Sequence, residues 1–101
     1  MDLRADVYPS NIINKKYMIV ITHGDRRKTL QIGDNRYEDY TQHKDDKRKQ
    51  NYILRHYARE DWSDIFTKGF WSRWMLWNQK TLKKSADYID DKFGIKIFLH
   101  L

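Results

Sequence analysis

The chain has 101 residues, a formal charge of +6 from 20 Lys and Arg against 14 Asp and Glu, 40% hydrophobic and 15% aromatic residues, and no cysteine. This length predicts one domain with one core, and the aromatic content argues against disorder. The missing cysteine excludes disulfides, thiolate nucleophiles and cysteine zinc sites. No apolar run reaches the roughly 18–20 residues of a membrane span, and Met1–Asp6 lacks the apolar core of an export signal, so the expectation is a chain that is not secreted.

In chain order, residues 1–14 read as an N-terminal arm, with a turn-like Pro9-Ser10-Asn11 and one apolar pair, Ile12-Ile13. A single α+β domain over residues 15–101 follows. Lys16–Thr22 is apolar on both faces of an alternating pattern and reads as a central strand. The turn His23-Gly24-Asp25-Arg26 leads to a second strand, Arg27–Ile32, giving an antiparallel hairpin. Tyr37–Lys44 is ambiguous, its tyrosines suited to anchoring a loop. Asp45–Arg59 reads as a helix, acidic at its start and basic later, pairing Ile53 with Tyr57 and Tyr52 with His56.

Gly69–Trp77 concentrates three of the four tryptophans with Phe70, Met75 and Leu76. Thr67 caps a short helix there, apolar over most of its circumference, with Arg73 reaching solvent, a carboxylate or a tryptophan face. Thr81 caps a third helix buried through Leu82, Ala86, Ile89 and Phe93 and closed by Gly94. Ile95–Leu101 alternates strictly and reads as a third strand joining the hairpin. The fold expected is therefore α+β, a small antiparallel three-stranded sheet with about three helices on one face, and Trp71, Trp74 and Trp77 at the centre.

The run His43-Lys44-Asp45, Arg48-Lys49, Tyr52-Ile53, Arg55-His56, Arg59-Glu60-Asp61-Trp62, then Gly69-Phe70-Trp71-Ser72-Arg73-Trp74, Leu76-Trp77-Asn78 and Thr81-Leu82, resembles a small uncharacterised protein family of nucleocytoplasmic large DNA viruses, of phycodnavirus and mimivirus type. The resemblance covers roughly residues 16–93. It implies a setting, a virus particle or the cytoplasm or nucleus of an infected host cell, and carries over no catalytic residue or cofactor.

The residues suggest binding more than catalysis. His23, His43, His56 and His100 include no i, i+4 metal pair. The adjacent pairs Asp45-Asp46 and Asp90-Asp91 point in different directions on a helix, which suits capping and solvation rather than acid–base work. Residues 44–59 hold six bases and two acids, and residues 15–28 hold five bases and one acid, so each segment carries +4. Side by side, they would form one patch in which Arg26, Arg27, Lys28, Lys47, Arg48, Lys49, Arg55 and Arg59 meet phosphates while Tyr52 or His56 stacks on a base. The competing reading is a solvated helix face. Phe70, Trp71, Trp74 and Trp77 read as core, or as an aromatic ridge for a neighbouring subunit. The expectation is a non-enzymatic structural component of a large DNA virus particle, without cofactor, with other virion proteins as partners. The alternative is a basic nucleic-acid-binding protein.

Overall fold

A computed structural model describes residues 3–101, which form β1 (Leu3–Pro9), β2 (Lys15–His23), β3 (Arg26–Asp34), α1 (Tyr40–His43), α2 (Asp46–His56), α3 (Lys68–Trp71) running into a π-helical turn (Ser72–Leu76), α4 (Leu82–Phe93) and β4 (Lys96–Leu99). The sheet has four strands in the order β3-β2-β1-β4. β2 pairs antiparallel with both β1 and β3, whereas β4 runs parallel to β1.

Two expectations are corrected here. Leu3–Pro9 is no arm but an inner strand: Ala5 and Val7 are fully buried, and both edges of the strand are paired. Asn14 takes positive φ where the chain turns from β1 into β2, so Ile13 projects outward, 86% exposed. The final strand does not join the hairpin. β2 already has β1 and β3 on its two edges, and the free edge of β1 accepts the short β4 in parallel register, giving a mixed sheet.

Alternation sorts the side chains. Ala5, Val7, Ile19, Ile21, Leu30 and Ile32 point to the face that the helices cover, meeting Phe70, Trp71, Met75, Leu76, Ile89 and Ile95. Trp71 is the fully buried centre, its indole N–H donating to the Ile65 carbonyl at 2.7 Å. Trp74 and Trp77 are only half-buried at the edge of this core, not at its centre as expected. The π turn, closed by Trp77 N–H to Ser72 O at 3.1 Å, buries the consecutive side chains Met75 and Leu76 together. Arg73 lies over the rings of Trp74 (4.4 Å) and Trp62 (5.3 Å).

The helix starts follow their caps. Asp39, Asp45, Thr67 and Thr81 each accept a backbone N–H in the first turn of α1, α2, α3 and α4, and Gly94 ends α4 in the left-handed conformation. No helix among the described residues is long and apolar enough to cross a membrane.

Candidate functional site

The expected continuous basic patch does not form. Arg26, Arg27 and Lys28 sit at the turn end of the β2–β3 hairpin, whereas α2 lies near the opposite end, beside Lys16 and Asp34. The seven residue steps from Arg27 to Asp34 separate the two groups by about 23 Å along β3. Arg26 stacks on the Phe66 ring at 3.8 Å and Lys28 donates to the Phe66 carbonyl at 2.9 Å, so both fasten the loop before α3. Arg27 is exposed.

On α2 the bases divide by face. Lys49 turns inward: its ammonium donates to the Asn78 carbonyl at 2.7 Å and lies 4.9 Å from the Tyr40 ring centre. Burial, with Arg73 nearby, pulls its pKa down. Lys47 and Arg59 point to solvent, and Arg59 donates to the Arg55 carbonyl. Arg48 and Arg55 stay exposed on one flank, with Arg48 in a loose 3.8 Å pair with Glu38. Tyr52 is buried, sandwiched between His56 (4.3 Å) and a parallel Trp77 (4.5 Å, 3°). Burial pushes its hydroxyl pKa up, so the ring serves as packing rather than as a titrating group. Tyr57 and Leu54 face away from the core, 61% and 66% exposed. Ile53, paired with Tyr57 by spacing, is half-buried.

What the structure does bring together is a cleft between α2 and the segment linking β3 to α1. Gly33, with φ of +76°, turns the chain out of β3. Lys16 bonds Asp39 at 2.7 Å, with both side chains nearly fully buried, and so pins the start of α1. Tyr40 anchors its loop as expected, but Tyr37 does not; its ring stands 70% exposed at the cleft mouth. Two depressions of about 400 Å³ each meet at Tyr37, Glu38 and Trp77. Arg48, Asn51 and Arg55 line one, and Tyr52 and His56 line the other.

Trp77 has a further property. The indole N–H groups of Trp62, Trp71 and Trp74 donate to Glu60, Ile65 and Trp62 respectively, whereas that of Trp77 has no acceptor among the described residues. The cleft is therefore lined by an exposed phenol ring, an indole whose N–H has no acceptor among the described residues, and two guanidinium groups. Sequence reasoning picked out Arg48, Tyr52, Arg55, His56 and Trp77 but missed Tyr37, Glu38 and Asn51. Nothing in the local pattern marked the 35–39 segment as a wall facing α2. Among the described residues no group of three His, Asp or Glu side chains is placed to hold a metal ion.

Comparison with known proteins adds one finding. The model of a family of unknown function, DUF5754, matches residues 5–56, from inside β1 to the last residue of α2. This is just over half of the chain, and it includes both walls of the cleft except Trp77 and Leu76. No match was found among curated proteins or among solved structures. The chain belongs to the DUF5754 family, a family of unknown function.

Proposed function

We propose that this protein binds nucleic acid without acting on it as an enzyme, and that the cleft beside α2 takes an unpaired base. The observation that carries this reading is the meeting of Tyr37, Trp77, Arg48 and Arg55 around one opening. The exposed Tyr37 ring offers a stacking surface for a base, beside the half-buried Trp77. Arg48 and Arg55 on the rim neutralise phosphates, and both are exposed enough to do so without breaking a buried contact. Glu38 and Asn51, at the same mouth, supply an acceptor and an amide for base edges. The test is binding to a labelled single-stranded oligonucleotide across a salt series. Affinity should fall linearly in log–log form with salt, and Arg48→Glu with Arg55→Glu should abolish the complex. A wild-type protein that shows no binding at low salt rules the reading out.

A second reading keeps the chain as a structural component of a large DNA virus particle, minor capsid or core-associated, held by other virion proteins. It rests on the resemblance of the aromatic segment and on Leu54 of α2 and Tyr57 at its C-cap, one turn apart and exposed outside the cleft. Mass spectrometry of purified particles with crosslinking tests it, and absence from particles despite abundance in infected cells ends it.

A further inference from the structure

All the helices pack on one face of the sheet, and the opposite face carries its own pattern. Register places Arg27, Thr22, Arg4 and Lys96 directly beside one another on β3, β2, β1 and β4. At about 4.8 Å per strand this row is about 14 Å long, and three of its four residues are bases. Arg27 and Lys96 are exposed and have no ion-pair or hydrogen-bond partner among the described residues. On the same face Phe98 stands one outward position along from the row, and Tyr8 and His100 stand two, about 13 Å from it. Tyr8 and His100 lie parallel, 4.5 Å apart, and Phe98 is 40% exposed with the Arg4 guanidinium 4.1 Å from its centre.

One carboxylate lies among these groups. Asp6 accepts from Arg4 at 2.7 and 3.1 Å and contacts His100 Nε2 at 2.8 Å. Its charge is thus spent on orienting a base and a ring, and the face as a whole remains positive. The rings and the bases are held by sheet register and by this network, so a ligand meets a surface already in place.

We infer that the open face of the sheet is a second contact surface for single-stranded nucleic acid, with the backbone crossing the Arg27–Arg4–Lys96 row and bases stacking on Phe98 and the Tyr8–His100 pair. This rests on the nucleic-acid reading above but on different residues. Charge favours a polyanion, and rings beside the charges favour one whose bases are unpaired. The 2′-hydroxyl does not enter the argument, so RNA and DNA strands share the required chemistry.

The experiment is fluorescence anisotropy with labelled oligothymidylate and oligouridylate of about 15 nucleotides, a length within the span that single-strand platforms cover. Four proteins are compared: wild type, Arg27→Glu with Lys96→Glu, Phe98→Ala, and Arg48→Glu with Arg55→Glu. Neither Arg27 nor Lys96 makes a contact that folding needs, and circular dichroism checks each variant. The expected result is a loss of about tenfold or more for Arg27→Glu/Lys96→Glu and of about tenfold for Phe98→Ala. Wild-type affinity in both sheet variants, with loss only in Arg48→Glu/Arg55→Glu, overturns the sheet surface and leaves the cleft reading standing. Loss in the sheet variants alone overturns the cleft and leaves the sheet. Loss on charge reversal with Phe98→Ala unchanged overturns the stacking platform, because a polyanion patch alone then accounts for binding. A wild type that binds neither strand at low salt overturns both surfaces.

Discussion

Replacing Val7 with alanine removes two methyl groups from a side chain with no exposed surface, in a strand paired on both edges. At about 0.8 kcal/mol per buried methylene-sized group the transfer loss is about 1.6 kcal/mol. The cavity left against Ile19 and Leu99, the residues paired with Val7 on β2 and β4, raises this to about 2–3 kcal/mol, since flanking strands relax only partly. In a domain with total stability of about 5–15 kcal/mol that is a large fraction, and it should lower Tm by about 10 °C or more. The control is Ile13→Ala, a larger truncation only six residues away, at a side chain 86% exposed, which should stay within about 0.5 kcal/mol of wild type. Urea unfolding followed by tryptophan fluorescence reads both, because Trp71 lies in the core that Val7 helps close. If Val7→Ala is as mild as Ile13→Ala, Leu3–Pro9 does not hold the inner place in the sheet.

Lys16→Met should cost about 3–5 kcal/mol, because the Asp39 carboxylate, its side chain 4% exposed, is left without its cation. The equivalent Lys83→Met, opposite an Asp87 side chain 64% exposed, should cost less than about 0.5 kcal/mol; similar costs for both would refute the contrast. Gly33→Ala should destabilise by about 1–3 kcal/mol, since φ is +76° and a Cβ would come within 3.0 Å of a Lys16 side chain already tied to Asp39; an unchanged denaturation midpoint contradicts this. The bond from Arg36 pulls the Asp34 carboxyl from the ordinary 3.8 to about 2. A depressed folded pKa means that its contribution is fully present above 3.8 and disappears as pH falls through about 2. A side-chain carbon titration by NMR with a midpoint near 3.8 would remove that contribution.

Much of the fold was legible because local signals and tertiary packing agreed. The cap residues Thr67 and Thr81, the C-cap Gly94 and the two-face pattern of β2 read correctly from sequence spacing. β1 was missed although Leu3, Ala5 and Val7 alternate with Arg4, Asp6 and Tyr8. Alanine and aspartate are poor strand formers, and only pairing on both edges explains their presence there. Asp6 is tolerated because Arg4 and His100 satisfy it, and His100 lies 94 residues away in the chain. The parallel placement of β4 was equally hidden, since alternation reports a strand but not its neighbour. The same limit applied to the site. Charge counting found both basic segments, but their separation follows from which end of the hairpin α2 packs against. With β1 folded into the sheet, the arm no longer supports docking onto neighbouring subunits, so the nucleic-acid reading moves ahead of the virion one.

The central claim is that the cleft between α2 and the 35–39 segment receives a base, and its most direct test is a titration of nitrogen-15-labelled protein with a short single-stranded oligonucleotide. The Trp77 indole N–H, which has no acceptor among the described residues, should shift most among the four indole signals. The backbone amides of Tyr37, Asn51 and Arg55 should move with it, while the Trp71 indole, bonded to Ile65 in the core, stays fixed. Saturable binding that leaves the Trp77 indole and those amides in place would contradict the account.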